Sequence, residues 1–347
     1  MSTENTAQLE DAELLALDKS IPWEELGKKT IFITGATGLI GKAIVKALLH
    51  YDAAHGGNIH IIALARNAEN AQKLYAECPG VEYLSFLEGD IKSFPMPSDS
   101  IDYVIHGAAP TGSQYFIDHP IDTINDIIAG TQHVLNMAFE KRVRGMVYLS
   151  SMEVYGKIEH ENKLREPDLG EIDLTSSRSS YPEGKRAAEL LCNCYMKQKQ
   201  VPVTNVRLAQ TFGPGINIEK DQRVFAYMAR CIKNGQNILL KTSGGKKNTY
   251  LYTKDAVSAL LLLLVRGKRG EAYNVGNEAT YCSIKEMGEK MAAALGNGNI
   301  RVLVNIASDT SQYRPEGYLN LDVSKLMQLG WTPTVGLADM FHRTCME

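Results

Sequence analysis

From Thr30 to about Leu149, short β-branched apolar runs alternate with longer stretches of helical periodicity, a rhythm that predicts βαβ units closing a parallel sheet. The extended runs are TIFIT (30–34), IHIIAL (59–64), VEYLSFL (81–87), IDYVIH (101–106) and GMVYLS (145–150), and VPVTNVRLA (201–209) reads as a sixth. Between them, the stretches 39–50 and 121–139 carry apolar residues at helical spacing. The pattern predicts an α/β protein built on a doubly wound parallel sheet with helices on both faces.

After Phe212-Gly213-Pro214 the rhythm breaks into irregular polar segments, a helix over 223–233, a glycine-rich SGGKKN and a final α/β stretch. Ala259–Val265 is the most apolar run, and it falls well short of the roughly 18 residues a membrane span needs, so a buried helix is expected there. The opening MSTENTAQLEDAELLALDKS is acidic without a long apolar core, which argues for a polar extension with a short helix rather than a targeting peptide. No internal repeat or low-complexity tract interrupts the chain.

Composition adds mainly exclusions. With 37 basic against 40 acidic residues the net charge is −3, so no whole-chain field recruits nucleic acid or an anionic membrane, and a phosphate-bearing ligand must be held locally. The six cysteines are scattered, form no C-x-x-C pair and stand away from histidines at metal-ligand spacing. Reduced thiols in a cytoplasmic protein without a metal site are the expectation.

Gly35-Ala36-Thr37-Gly38-Leu39-Ile40-Gly41 follows the first strand directly and opens the first helix. Such a loop lets backbone approach a pyrophosphate, while free N–H groups and the helix dipole oppose its charge; alone, the same glycines could make only a structural turn. The position between strand and helix favours a dinucleotide site on a Rossmann fold. Asp90 and Ile91 after the third strand suit an adenine edge, and Ala108 and Ala109 after the fourth let backbone lie against the cofactor. The second strand ends Ala65-Arg66-Asn67 without a carboxylate, and Asp52 falls in a loop before it. Arg66 is either a solvated charge or a contact to a 2′-phosphate, so the cofactor is NADP or NAD, with Arg66 tipping the reading to NADP.

The second constellation is Tyr181-Pro182-Glu183-Gly184-Lys185 at the start of a helix, where Tyr181 and Lys185 share a face. A tyrosine with its ordinary pKa is a poor base at neutral pH, and moving it to about 7 takes roughly 4 kcal/mol of differential stabilisation, which an adjacent ammonium helps supply. Ser151, at the end of the fifth strand, brings a hydroxyl to the same edge of the sheet and can relay a proton.

On these residues the chain resembles the extended short-chain dehydrogenase/reductases, in their epimerase/dehydratase branch acting on nucleoside-diphosphate sugars. The stretches RLAQTFGP (207–214), YTKDA (252–256), YNVG (273–276) and LGWTP (329–333) extend the likeness over nearly all the chain after residue 28. The resemblance implies oxidation of the sugar at C4 to a 4-keto species with Tyr181 as base, Lys185 as its tuner and ribose contact, and Ser151 as relay. It further implies a homodimer, and a division into an extension (1–28), a dinucleotide-binding domain (29–213, rejoined by 250–268) and a mainly substrate-binding lobe (214–347).

Several positions depart from the branch. Dehydratases of this kind carry Asp-Glu after the serine, where this chain has Met152-Glu153, and a thioether cannot donate a proton. Decarboxylation of a uronate needs no acid there, so the resemblance leans to a decarboxylase, with a 4-epimerase or a non-catalytic dinucleotide sensor as alternatives. Glu153 is then a catalytic carboxylate, unless it is only an internal salt-bridge partner. Gln210 stands for the usual asparagine and Asn248 for the usual diphosphate arginine. Arg314 matches a phosphate contact of the branch, Lys246 and Lys247 are alternatives for that role or a solvated loop, and the helix asparagine position holds Ile127, with Asn125 two residues before it.

Overall fold

A computed structural model describes residues 6–308 and 317–345. The strands are β1 (Thr30–Thr34), β2 (His60–Ala65), β3 (Leu84–Glu88), β4 (Tyr103–His106), β5 (Gly145–Ser151), β6 (Val203–Leu208), β7 (Gln210–Phe212), β8 (Ile238–Leu240), β9 (Lys247–Tyr252), β10 (Ala272–Val275), β11 (Asn277–Ser283), β12 (Val302–Val304) and β13 (Tyr318–Leu319). The helices are α1 (Thr6–Ala16), α2 (Trp23–Leu26), α3 (Leu39–His55), α4 (Ala68–Lys73), α5 (Ser113–Asp118), α6 (Pro120–Glu140), α7 (Ser180–Lys199), α8 (Val224–Lys233), α9 (Thr253–Arg266), α10 (Ile284–Leu295), α11 (Ser324–Met327) and α12 (Leu337–Cys345).

Seven strands form one parallel sheet in the order β10-β6-β5-β4-β1-β2-β3, which is the doubly wound Rossmann arrangement the alternating pattern predicts. One face packs on α3 and α9 through Ile44, Leu48, Leu260 and Leu263. The other packs on α6 and α7 through Ile127, Val134, Ala188 and Cys192. Both faces being covered, the central strands read as continuous apolar runs rather than alternating ones.

The sheet differs from the sequence reading at strand edges and in its last member. Val81–Tyr83 forms a 3₁₀ turn and only Leu84–Glu88 pairs with β2, because Gly80 takes φ +72° and delays the strand. Strand β4 begins at Tyr103, since Asp102 instead accepts the Thr30 N–H and the Arg144 guanidinium. Asp52 lies inside α3, not in a loop, and its buried carboxylate caps the Ile59 N–H at 2.9 Å. The return of the chain to the large sheet goes beyond residue 268, since β10 pairs with β6 as the seventh strand.

A smaller sheet centres on β9, flanked by β7 and β13 in parallel and β11 antiparallel, while β8 and β12 pair separately. Phe212, Phe225, Met287, Met340 and Phe341 fill its own core with α8, α10 and α12. Helix α1 lies against α3 and α9. Its Asp11 accepts from the Tyr252 hydroxyl at 2.6 Å, and Arg343 of α12 donates to both groups. Among the described residues no helix is long and apolar enough to cross a membrane.

Candidate active site

The strands being parallel, their carboxyl ends lie on one edge, and the loops that follow β1 to β6 all open there. At the end of β1 the buried Thr34 hydroxyl meets His106 Nδ1 at 2.7 Å and accepts the Gly107 and Ala108 N–H groups at 3.2 and 3.1 Å. His106 Nε2 reaches Thr131 of α6, and burial holds this imidazole down to about 3, so it stays neutral as a strut between strands and helix. Tyr75 donates to the Ala36 carbonyl at 2.6 Å and fixes the glycine loop from outside.

The three loop glycines differ. At Gly35, φ is +76° and a Cβ would stand 2.8 Å from the Gly107 carbonyl carbon; at Gly41 it would stand 2.1 Å from the Gly35 carbonyl oxygen. Both are demanded by the fold. At Gly38 the backbone is ordinary, and the nearest atom to a Cβ is the Gly35 oxygen at 3.3 Å. Gly38 is exposed and caps α3 with no side-chain hydrogen bond, so the amino end of that helix presents backbone donors beside a space that a side chain would fill. These features fit a pyrophosphate. Thr37 is exposed and Leu39 and Ile40 half-buried on the same turn.

Along the same edge Arg66 stands exposed just beyond β2, and the nearby carboxylate comes from Glu88 at the end of β3, which caps the Ala68 N–H at 2.9 Å. Asp90 is exposed, its carboxylate accepting the Lys92 N–H, while Ile91 presses on Gly130 of α6. Ala108 and Ala109 are half-buried at the end of β4.

Beyond β5, the backbone makes a 3₁₀ turn over Met152–Tyr155, capped by the Ser151 hydroxyl accepting the Glu153 N–H at 3.2 Å. Met152 points into the core at 6% exposure, so its thioether is packing rather than a group in the cleft. Helix α7 comes against this turn. Its Lys185 ammonium is buried, donates to the Leu149 carbonyl at 2.6 Å and lies 4.7 Å from the Tyr148 ring centroid and 5.9 Å from that of Tyr181. Desolvation lowers Lys185 to about 8, against the raising effect of Glu189 and Cys192. Tyr181 is 9% exposed and stacks face to face on Phe116 of α5, with centroids 4.3 Å apart and planes 6° apart.

The structure therefore brings Ser151, Glu153, Tyr181 and Lys185 to one corner. Gln210 opens β7, two residues beyond Leu208, the register partner of Ser151, and is half-buried. Arg314 falls outside the described residues. Lys247 is in β9, ion-paired with Glu161 at 2.7 Å, rather than in a solvated loop. Asn248 is buried, Ile127 packs against Gly184, and Asn125 is exposed on α6. Among the described residues no group of His, Cys, Asp and Glu could hold a metal ion.

The sequence reading missed Arg178 and Phe116. Arg178, in the 3₁₀ turn Ser177–Ser179 before α7, grips Glu153 with contacts of 3.0 to 3.2 Å. Phe116 comes from another helix and shares no register with Tyr181, whereas Arg178 stands three residues before Tyr181 in the turn that runs into α7, a helical spacing that was open to the reading.

A doubly wound sheet with a glycine loop after its first strand, and a Ser, Tyr and Lys cluster after its fifth, defines a Rossmann-fold enzyme class. The chain belongs to the NAD dependent epimerase/dehydratase family, whose model matches residues 31–276. The expected resemblance is thus borne out. It is 28% identical over 322 residues to UDP-glucuronic acid decarboxylase 1 of Xenopus tropicalis, covering 92% of this chain and 72% of that one. Its fold is similar to dTDP-glucose 4,6-dehydratase from Streptomyces venezuelae, solved with NAD (TM-score 0.73, 23% identity, 91% and 96% of the two chains). It is also similar to UDP-glucuronic acid 4-epimerase from Bacillus cereus, solved with NAD and a fluorinated UDP-sugar (TM-score 0.74, 21% identity, 91% and 98%).

Proposed function

We propose that the protein binds a nicotinamide dinucleotide along the carboxyl edge of the large sheet and uses it to oxidise C4 of a nucleoside-diphosphate sugar. The observation that carries this reading is the buried Lys185 ammonium, anchored on the Leu149 carbonyl beside the Tyr181 ring, on the edge that also bears Ser151 and the open Gly38 cradle. A dinucleotide, when bound, supplies the hydride acceptor and later the donor. Gly35, Thr37, Gly38, Leu39, Ile40 and Gly41 hold its pyrophosphate, Asp90 and Ile91 its adenine, and Ala108 and Ala109 its nicotinamide half. Lys185 contacts ribose and favours the Tyr181 phenolate, which takes the O4 proton as the C4 hydride leaves, with Ser151 as relay. The neighbours named above were solved with NAD; Arg66, beyond a strand without a terminal carboxylate, favours NADP in this chain, and an unchanged NADP-to-NAD affinity ratio in Arg66→Ala would count against that preference.

The sequel at C5 and C6 is decarboxylation of a 4-keto uronate. The C5–C6 bond breaks, its electron pair passes toward O4, carbon dioxide leaves, C5 takes a proton from solvent water, and hydride returns to C4. Glu153 orients the sugar ring by accepting a hydroxyl hydrogen bond, Gln210 and Arg314 bind the substrate, and the buried Met152 requires no replacement acid. A second reading, 4-epimerisation, draws on the Arg178 clasp, which leaves Glu153 a purely internal ion pair. Incubation with nucleoside-diphosphate hexoses and uronates, followed by product mass, decides: loss of carbon dioxide supports decarboxylation, loss of water dehydration, and unchanged mass with inverted C4 epimerisation. Tyr181→Phe should lower turnover by about 100-fold while retaining binding; full activity in that variant overturns the C4-oxidation reading.

A further inference from the structure

Two short turns face each other across the cleft corner. One follows β5 and carries Glu153; the other precedes α7 and carries Arg178. The guanidinium spans both carboxylate oxygens, Nη1 to Oε2 at 3.0 Å and Nη2 to Oε1 and Oε2 at 3.2 and 3.0 Å, with side chains only 21% and 15% exposed. The same guanidinium lies 5.9 Å from the Phe116 ring centroid, and Phe116 is the ring on which Tyr181 stacks. The backbone of the Glu153 turn is held separately, by Arg186 donating to the Val154 carbonyl at 2.7 Å and to the Gly170 carbonyl at 2.6 Å. With the main chain already fixed by Arg186, the Arg178 fork sets only where the carboxylate points.

We propose that Arg178 is a positioning residue for the half-reaction that follows C4 oxidation: it holds Glu153 as an oriented anion beside Ser151, in a fixed relation to Tyr181. This inference rests on the two-stage reading above and adds a residue to its second stage. A glutamate on a one-turn segment otherwise samples several rotamers, and a planar fork that engages both oxygens removes that freedom. Lysine, a point charge on a flexible stem, keeps the sign but not the two-point geometry. Arg178 acts through Glu153 and does not touch the sugar, so its removal separates the two stages. Hydride departure from C4, served by Tyr181, Lys185 and Ser151, continues, and the 4-keto species with its reduced cofactor persists.

The test is single-turnover absorbance of the reduced nicotinamide, using the substrate found by the panel. In the wild type the signal rises and decays. In Arg178→Ala the rise should be preserved and the decay slowed by about tenfold or more, the scale a displaced catalytic group costs. Arg178→Lys should recover part of the decay, and it carries the same test where the alanine variant does not fold. Combining Arg178→Ala with Glu153→Gln should slow decay no further than Glu153→Gln alone, because both remove one function. Decay at the wild-type rate in Arg178→Ala, equal slowing of rise and decay, or multiplying effects in the double variant would overturn the inference while leaving C4 oxidation intact. A wild type that never shows reduced cofactor overturns C4 oxidation and this inference with it.

Discussion

Single atoms separate open from closed positions in the glycine loop. Gly41 has no room for a Cβ, so Gly41→Ala should be poorly folded, whereas Gly38 has nothing nearer than 3.3 Å and ordinary backbone angles. Gly38→Val should therefore keep most of the thermal stability and lose dinucleotide affinity by tenfold or more, about 1.4 kcal/mol or above, in a binding titration. A folded Gly38→Val protein with unchanged affinity would remove the pyrophosphate from this loop. Lys185 gives a residue-scale pH signature. Burial lowers its folded pKa to about 8 from the ordinary lysine value of 10.5, so the resting enzyme loses this ammonium above pH 8, and kcat/KM should fall on that alkaline side. The sign for stability is opposite: between pH 8 and 10.5 the unfolded chain holds the extra proton, so this group's contribution to stability rises with pH across that window. Lys185→Met should flatten the stability slope and abolish turnover; a retained slope would mean another group titrates there.

Among the elements, α1 shows what a sequence pattern conceals. Its composition predicts a polar extension with a short helix, and the helix is there, yet Asp11 on it is buried and shared between the Tyr252 hydroxyl and Arg343, with burial pushing its carboxyl up against the lowering effect of those partners. Asp11→Ala leaves a buried hydroxyl without its acceptor and should cost about 1 to 3 kcal/mol in chemical denaturation, a loss an ordinary surface helix would not show. Legibility follows the same line. The strand and helix rhythm of the first half, the glycine loop and the Tyr181 and Lys185 spacing are local patterns, and the sequence displays them. The membership of β10 in the large sheet rests on pairing with β6 across more than sixty intervening residues, and the Arg178 to Glu153 clasp joins two turns from different elements. Contacts between distant elements leave no period in the chain. Met152 illustrates the converse: the residue type correctly removes an acid from the corner, while its burial in the core is a fact of packing.

At the scale of the whole molecule, the chain passes between the large and small sheets by connections of almost no length. Only Ala209 separates β6 from β7, only Gly276 separates β10 from β11, and α9 starts at Thr253 directly after β9 ends at Tyr252. Two of these crossings touch each other and lie against β9: a Cβ on Gly276 would stand 3.2 Å from the Ala209 methyl and 2.8 Å from Thr249. Two short strips of backbone pressed on each other and on β9 act as a plate, not a pivot, because rotation about one would have to stretch or crush the other. The large-amplitude hinge bending by which many two-lobed proteins shut on a ligand is thereby closed to this chain, and capture must come from loops that move over a fixed frame. Small-angle scattering of the free protein and of the protein saturated with dinucleotide and nucleoside diphosphate should give the same radius of gyration, and a clear contraction would show that the plate bends.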